Sequence, residues 1–342
     1  MLLYLQIFIF TILLSAGLTF LVMKLAKKLK ITDRPDAERK FHQGNIPLLG
    51  GLAIFLTFFI VLFFFRDKIL AGDLLPGHWL GFFIGACFLM IGGFFDDKYN
   101  LKPIQQFIFP CLAIISVIAG GVEIEKITNP LGGYLYLGWL SAILIAFWLL
   151  GVMYTTKLLD GLDGLVSGLT AIGSLTIFLF TLTTKYYQPD IALAALVLAA
   201  ASLGFLFFNW QPARVFLGEG GSLFLGYALG VLAIISGGKI AIALLVMGIP
   251  ILDVAWTILR RLAAGKNPFK FADRRHLHFR LLETGLTVRQ AVLLFYVISI
   301  IFGLNALFLQ SIGKAFALIT LAGIMLLVVI FFAYLDRKSK RV

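Results

Sequence analysis

The chain alternates between long apolar stretches and short polar segments. A helix needs about 20 apolar residues to cross a bilayer, and stretches close to that length recur along the sequence. Eleven can be delimited, at residues 2–23, 48–65, 79–95, 104–121, 135–153, 164–184, 191–208, 222–236, 239–259, 290–310 and 314–334. Three of them (79–95, 104–121 and 222–236) are short or contain glycine, so ten spans is the alternative count. The pattern predicts an all-α polytopic transmembrane helical bundle.

Composition supports this class. Hydrophobic residues make up 61% of the chain and charged residues only 13%, which is far from the balance of a soluble domain. We find no long linker, low-complexity tract or repeat, so we expect residues 1–342 to form a single integral membrane domain. The first stretch lacks a basic region and a small-residue cleavage site and reads as a retained span. Cys87 and Cys111 fall inside predicted spans without metal-ligand spacing, and we assign them no function.

Lysine and arginine predict the orientation. With the amino terminus outside, the inner segments are 24–47, 96–103, 154–163, 209–221, 260–289 and 335–342, and they contain 23 of the 29 basic residues. This asymmetry follows the positive-inside rule and places the carboxyl terminus in the cytoplasm. The net charge of +12 then reflects topology and contact with anionic membrane lipid, and we expect no nucleic-acid partner.

Acidic residues occur at the inner ends of the predicted spans. Asp96 and Asp97 follow the third span, Asp160 and Asp163 follow the fifth, and Glu219 follows the seventh. The segment Asp160-Gly-Leu-Asp-Gly interrupts apolar sequence, and its two acids are spaced to point the same way at a helix start and share a ligand. Several carboxylates at one membrane surface suit a hard divalent cation such as Mg²⁺, whose other ligands are water and substrate phosphate.

The alternative class is an ion- or proton-coupled transporter. Its ionisable groups should lie near the bilayer midplane, whereas the midplanes here are almost free of charge. Asp253 lies roughly 10 Å into the ninth predicted helix at 1.5 Å per residue, in the inner half. Charges within spans normally face a polar cavity and mark function, so phosphate chemistry at the inner surface is the favoured interpretation.

Basic residues and histidines accompany the acids on the predicted inner side. Lys40 and His42 lie in the segment before the second span and can hold an anionic lipid head or a nucleotide diphosphate. The run from Arg274 and Arg275 to His276 and His278 contains no cysteine. Its two histidines are two residues apart, which suits a loop and phosphate contact better than a zinc site.

Together these motifs resemble those of the polyprenyl-phosphate N-acetylhexosamine-1-phosphate transferases of glycosyltransferase family 4. The resemblance covers about residues 33–300, and the motifs occur in the family's order. They are RKFHQGNIPLLGG at 39–51, FFDDKYNL at 94–101, LLDGLDGL at 158–165, NWQPARVFLGEGGS at 209–222 and DRRHLHFRL at 273–281. The family includes the bacterial undecaprenyl-phosphate GlcNAc-1-phosphate transferases and phospho-MurNAc-pentapeptide transferase.

The resemblance implies a reaction at the cytoplasmic face of a bacterial inner membrane. A polyprenyl phosphate, undecaprenyl phosphate in bacteria, attacks the β-phosphorus of a UDP-sugar with Mg²⁺ as cofactor, Mn²⁺ being the alternative ion. The products are a lipid-diphosphate-sugar and UMP, in the first membrane step of cell-envelope polysaccharide synthesis. The active-site loops would be 24–47, 96–103, 154–163, 209–221 and 260–289. A homodimer is left open.

The resemblance also implies roles for single residues. Asp96 and Asp97 match a pair assigned to catalysis and lipid-phosphate activation. Asp160 and Asp163 match acids that line the nucleotide site, and we group them with the catalytic residues. Glu219 occupies the position of the metal-binding aspartate.

Four further residues match substrate contacts of the family. Asn209 matches a polar residue of the nucleotide site, and Phe216 matches an aromatic residue that stacks on uracil. His276 and His278 match the histidine motif that holds substrate phosphates.

The chain departs from the family pattern at four positions. Tyr154 and Lys157 stand where asparagines are usual, Glu219 replaces aspartate, and Phe279 stands where a third histidine is frequent. A lysine at 157 can supply a charge to the substrate diphosphate. The departures keep an inactive relative open as the non-enzyme alternative. The His-Leu-His pattern and the IPLLGG loop favour the GlcNAc-type branch over the pentapeptide branch.

Overall fold

A computed structural model describes residues 1–33, 45–72, 74–128, 133–183, 187–237, 240–263, 265, 276–309 and 311–339. Within these ranges the chain forms fourteen helices. They are α1 (Leu2–Lys28), α2 (Gly50–Phe64), α3 (Arg66–Ile69), α4 (Pro76–Tyr99), α5 (Pro103–Ala119), α6 (Leu140–Leu159), α7 (Leu165–Thr181), α8 (Pro189–Asn209), α9 (Gly218–Ile235), α10 (Ile240–Val246), α11 (Gly248–Ala263), α12 (Leu277–Glu283), α13 (Val288–Phe308) and α14 (Ser311–Ser339).

The strands of the described residues form two antiparallel pairs. In the first, β1 (Thr32–Asp33) pairs with β2 (Ile46–Pro47), and in the second, β3 (Lys126–Thr128) pairs with β4 (Tyr134–Tyr136). Each strand has only two or three residues, so the predicted all-α class is confirmed.

Each of the eleven predicted stretches overlaps a helix or a helix pair. Seven helices are long and apolar enough to cross a membrane: α1, α4, α6, α8, α9, α13 and α14. The pair α10 and α11 qualifies as an eighth if the two helices form one span, although they are bent by 81° at their junction. The helices α2, α5 and α7 are apolar but shorter. The count of eleven spans and the sidedness of the termini therefore stay predictions.

Several helices begin at residues that suit a helix start. Pro76, Pro103 and Pro189 occupy the first turns of α4, α5 and α8, where the N–H group that proline lacks would have no intrahelical partner. Helix α13 begins with a capping box, in which Thr287 accepts a hydrogen bond from the backbone N–H of Gln290. These local signals place helix starts close to the polar segments.

Helix α9 is the most completely buried of the long apolar helices. At its start the neighbouring helices approach to backbone contact. A Cβ atom at Gly51 of α2 would collide with the Cα of Gly221, and one at Gly93 of α4 would collide with the Cα of Gly220. Farther along α9, a Cβ at Gly226 would collide with Thr156 of α6. Because glycine lets three helices pack closely around one end of α9, the polar residues at their ends come together.

Candidate active site

The loop before α9 is joined to the loop before α2. The N–H groups of Gly50 and Gly51 donate to the carbonyls of Phe216 (2.9 Å) and Leu217 (2.8 Å), and the N–H of Phe216 donates to Pro47 (2.9 Å). The side chain of Phe216 is half-buried beside this junction, and its predicted stacking on uracil stays a prediction. The junction fixes the backbone on which Glu219 stands.

Asp97 caps the start of α9. Its Oδ1 accepts a hydrogen bond from the backbone N–H of Glu219 at 3.0 Å, and an anionic oxygen at a helix start is stabilised by the helix dipole. Gly218 has φ of +75°, and a side chain there would also collide with the Asp97 carboxylate. Glycine is therefore required at 218 both by the backbone conformation and by the position of Asp97.

A chain of polar contacts joins the ends of four helices. Oδ1 of Asp96 accepts from the backbone N–H of Leu101 (2.8 Å) and from Nε2 of Gln106 (3.0 Å). Oε1 of Gln106 accepts from Nζ of Lys157 at 3.0 Å. The same ammonium forms an ion pair with the Glu219 carboxylate. We call Asp96, Asp97, Asp160, Glu219 and Lys157 the acid cluster; it lies at the end of the bundle where α4, α6 and α9 meet.

The loop between α6 and α7 carries Asp160 and Asp163. Oδ2 of Asp163 accepts from the backbone N–H of Ala213 at 2.9 Å, so this oxygen holds the loop at 210–217. Asp160 follows the last residue of α6 and is the residue of this loop that belongs to the acid cluster. Burial, followed by the carboxylates of Glu219 and Asp97, raises the pKa of the Asp160 carboxyl to about 8. Asp163 therefore holds a backbone N–H while Asp160 faces Glu219 and Asp97, and the ligand that the two acids share stays a prediction.

Asn209 is buried and ties the same two loops together. Its Oδ1 accepts from the N–H of Gly164 and from the hydroxyl of Ser167, both at 3.1 Å. Its Nδ2 donates to the carbonyl of Val215 at 2.9 Å. The hydroxyl of Tyr296 also donates to the carbonyl of Gly164. Asn209 thus orients the loop that carries Asp163, and its direct contact with a nucleotide stays a prediction.

The histidine helix, α12 with His276 at its start, packs against the other side of this loop. Asp253 of α11 holds it: Oδ2 lies 2.9 Å from Nδ1 of His276, and Oδ1 accepts from the N–H of Leu277 at 3.0 Å. A Cβ atom at Gly161 would lie 3.0 Å from Nε2 of His278. The histidines and the acids are therefore assembled at one end of the bundle.

His278 is fully buried. Its ring is stacked on His276 with centroids 5.7 Å apart, and neither ring nitrogen has a hydrogen-bond partner among the described residues. Burial, followed by the His276 ring, lowers the pKa of His278 to about 3, so the imidazole is neutral at pH 7. Direct contact between His278 and a substrate phosphate would require α12 to move.

An apolar cavity of about 380 Å³ adjoins the acid cluster. Its walls come from α2, α4, α9 and the residue before each of α2 and α9, and the lining residues are Leu49, Leu52, Met90, Ile91, Phe94, Phe95, Asp97, Leu217, Gly220 and Gly221. Asp97 is the charged residue of this lining. The cavity thus combines a surface suited to hydrocarbon with a single carboxylate.

The carboxylates of the site suit a hard cation whose coordination shell is completed by the substrate. Within the described ranges, no group of three His, Cys, Asp or Glu side chains is placed to hold a metal ion by itself. Mg²⁺ commonly binds one or two protein carboxylates and takes its remaining ligands from water and substrate phosphate. Asp97 and Glu219, joined through the Glu219 N–H, fit that requirement, and the Glu219 carboxylate already contacts a cation, Lys157.

Four predicted substrate-binding residues, Lys40, His42, Arg274 and Arg275, lie outside the described residues. Conversely, sequence reasoning missed Gln106, which connects Asp96 to Lys157. A signal was present, since Gln105 and Gln106 are polar residues in the first turn of an otherwise apolar stretch. It also missed Arg289, whose guanidinium donates to the carbonyl of Gln211 at 2.8 and 3.1 Å.

Comparison with known proteins gives consistent matches. Residues 79–237 match the family model described as "Glycosyl transferase family 4". A probable undecaprenyl-phosphate N-acetylglucosaminyl 1-phosphate transferase of Bacillus subtilis (strain 168) is 34% identical over 89% of this chain and 84% of its own length. A decaprenyl-phosphate N-acetylglucosaminephosphotransferase of Mycolicibacterium smegmatis is 30% identical over 76% of this chain and 70% of its own length.

A third relative extends the similarity to another bacterial group. The undecaprenyl-phosphate alpha-N-acetylglucosaminyl 1-phosphate transferase of Escherichia coli (strain K12) is 28% identical over 84% of this chain and 78% of its own length. The predicted motifs at 94–101, 158–165 and 209–222 fall within the residues that match the family model. The chain therefore belongs to glycosyltransferase family 4, the family that its motifs predicted.

Proposed function

We propose that the protein transfers GlcNAc-1-phosphate from UDP-GlcNAc to undecaprenyl or another polyprenyl phosphate and releases UMP. The observation that carries this proposal is the acid cluster beside an apolar cavity, with Asp97 belonging to both. A phosphorylated hydrocarbon substrate needs such a combination of surfaces. The names of the relatives supply the sugar and the lipid class.

The acceptor enters by its hydrocarbon part. The apolar walls of the cavity take the isoprenyl units next to the phosphate, and burial of apolar surface contributes about 25 cal/mol per Å². The phosphate then lies near Asp97. An oxygen of the acceptor phosphate attacks the β-phosphorus of the UDP-sugar, and the bond from that phosphorus to the bridging oxygen breaks. UMP leaves with the bridging oxygen.

The protein contributes mainly by positioning and by charge. Negative charge is spread over the phosphoryl oxygens during such a transfer, so cationic groups and orientation matter more than covalent chemistry. Asp97 and Glu219 would hold Mg²⁺, or Mn²⁺ as the alternative ion. When bound, the ion neutralises charge on the phosphates and orients them.

The remaining side chains act on the donor. Asp160, Asp163 and Phe216 line the nucleotide site. Asn209 holds the loop that carries Asp163. His276, oriented by Asp253, contacts a phosphate through its second ring nitrogen. Among the described residues the buried His278 has no hydrogen-bond partner, which is unfavourable, and His278 gains one when the donor moves α12. Lys157 is available for the diphosphate.

The four basic residues outside the described ranges complete the proposal. Lys40 and His42 bind the acceptor head or the donor diphosphate, and Arg274 and Arg275 bind donor phosphate. The distribution of lysine and arginine supports a multi-pass location in the bacterial cytoplasmic membrane with the site on the cytoplasmic face.

The proposal is tested with the full-length protein in nanodiscs, undecaprenyl phosphate, Mg²⁺ and each of UDP-GlcNAc, UDP-GalNAc and UDP-MurNAc-pentapeptide. We expect UMP release with UDP-GlcNAc. Asp97→Asn should lower it about 100- to 1000-fold, a loss typical for one electrostatic group at a transfer site, while Asn retains an oxygen acceptor for the Glu219 N–H. Asp67→Asn removes a carboxylate that is 98% exposed and should change nothing.

Three results would contradict the proposal. Release with UDP-MurNAc-pentapeptide alone would assign the pentapeptide branch instead. No release with any donor would favour an inactive relative or a transporter. Full activity of Asp97→Asn would remove Asp97 from the chemistry.

A further inference from the structure

Three of the four departures from the family pattern meet at Lys157. The ammonium of Lys157 forms an ion pair with the Glu219 carboxylate and lies 5.6 Å from the centroid of the Tyr154 ring. Tyr154 and Lys157 stand one helical turn apart on α6, and Glu219 is in the first turn of α9. In the sequence they are separate anomalies. In the fold they form one cation site with an anionic side and an aromatic side.

An ionised Glu219 requires a cation in this conformation. The side chains of Lys157 and Glu219 are only 21% and 17% exposed, and Oε1 of Glu219 is shut off from water. A carboxylate removed from water is strongly unfavourable unless it is paired. Because the ammonium contacts this same oxygen, Lys157 supplies the neutralising charge that a bound metal ion would otherwise supply.

The packing holds the pair in place. Close contact between Gly226 and Thr156 presses α6 against α9, and the indole N–H of Trp148 donates to the carbonyl of Gly230 at 3.0 Å. On its other side the ammonium donates to Oε1 of Gln106. An ammonium with these partners can leave Glu219 and still keep the amide oxygen and the aromatic ring.

We propose that Lys157 is a tethered counter-cation which a divalent metal ion displaces from Glu219, and that the displaced ammonium binds the diphosphate of the donor. This inference rests on the proposed function for the identity of the donor. Two cations close to one carboxylate repel each other, so the metal and the ammonium compete. The donor removes the competition because it offers the ammonium another anion. Metal and donor binding are therefore coupled through Lys157.

Direct binding of Mn²⁺, followed by electron paramagnetic resonance on the full-length protein in nanodiscs, tests the competition. Without donor, Lys157→Met should bind Mn²⁺ about 10-fold more tightly than the wild type, a typical coupling between sites. Addition of UDP-GlcNAc should tighten Mn²⁺ binding more in the wild type than in the variant. Lys157→Arg keeps the charge and should bind Mn²⁺ as weakly as the wild type.

Matched variants separate this effect from a change in net charge or in folding. Lys98→Met removes a charge next to Asp97, but the Lys98 side chain is exposed and its ammonium lies over the Tyr99 ring, 5.1 Å from the centroid; Mn²⁺ binding should not change. Glu219→Gln should weaken binding whether residue 157 is Lys or Met. If Lys157→Met does not fold, Lys157→Gln removes the same charge and takes its place.

Mn²⁺ affinity that is equal or weaker without the lysine charge would overturn the inference. So would coupling to the donor that is equal in wild type and variant, or binding that does not depend on Glu219. These titrations without donor need no transferase activity. Failure of the proposed function would appear as absent UMP release from the wild type, which is a separate result.

Discussion

The acid cluster and the histidine helix flank the same Asp160–Gly164 loop, yet they are held in different ways. On the acid side, Asp96 accepts two hydrogen bonds and Lys157 contacts both Gln106 and Glu219. On the histidine side, the two side-chain contacts found at the start of α12 among the described residues come from the carboxylate of Asp253.

By this difference the acid cluster is the preassembled part of the site, and the histidine helix is the part that can move. Where several side chains hold a segment, removing one contact leaves the others in place. Where one carboxylate makes both contacts, replacing it removes both at once. The buried His278, without a hydrogen-bond partner among the described residues, adds a cost to the observed position of α12. We therefore interpret the acid side as rigid and the histidine side as responsive to the donor.

Among the changes that test this comparison, the largest effect is expected at Asp253. Asp253→Asn removes the charge that orients His276, and UMP release should fall about 100-fold, as is typical when a group that orients a histidine at an active site is changed. Turnover measured at saturating donor checks this. The double variant with His276→Gln should be no worse than His276→Gln alone, because both changes remove one function.

The matched change on the acid side is Gln106→Leu. Asp96 keeps the N–H of Leu101, and Lys157 keeps Glu219, so activity should stay within about 5-fold of the wild type. Equal losses in Asp253→Asn and Gln106→Leu would erase the difference between the two sides.

An intermediate effect, on stability, is expected at Asn209. Asn209→Ala removes three buried hydrogen bonds and leaves the N–H of Gly164 and the carbonyl of Val215 without this partner. The free energy of unfolding should fall by about 2–4 kcal/mol, seen as a lower thermal midpoint in detergent. The KM for UDP-GlcNAc should be nearly unchanged in the folded fraction. A raised KM at unchanged stability would instead make Asn209 a nucleotide contact.

A pH-dependent effect on stability is expected from the charge of Asp160. Its pKa is raised to about 8, above the value of about 3.9 in an unfolded chain. The folded protein therefore binds this proton more tightly, and the resulting stability is lost as the pH rises from about 4 to about 8. Asp160→Asn does not titrate, so its thermal midpoint should exceed that of the wild type increasingly over this range. A difference that is constant with pH would show that Asp160 is ionised throughout.

Much of the fold could be predicted from the sequence because membrane insertion is governed by local composition. Each apolar stretch satisfies its own backbone hydrogen bonds as a helix, and each of the eleven stretches overlaps a helix or a helix pair. The break at Met247 between α10 and α11, with its 81° bend, was not predicted, although Gly248 and Pro250 follow it directly and both residues are unfavourable inside a helix. Hydrophobicity alone carries no information about such a bend.

The motifs also predicted which segments meet, but not which atoms do. Asp160 and Asp163 are three residues apart, and their spacing does not distinguish their roles. In the fold, the Asp163 carboxylate holds the backbone of Ala213, while Asp160 lies toward Glu219 and Asp97. Asn209 has the family's residue type, and its three hydrogen bonds all go to the protein. Side-chain partners depend on helix packing, which residue spacing does not specify.

By itself the sequence determined the membrane class, the order of the motifs and the family, because these depend on apolar length and on residues that stand close together along the chain. Only the tertiary structure decided that Lys157 pairs with Glu219, that Gln106 links Lys157 to Asp96, and that Asp253 holds His276. The physical reason is that these pairs come from different helices. Their contact is set by glycine-mediated packing around α9 and by the bend before α11, and neither leaves a periodic trace in the sequence.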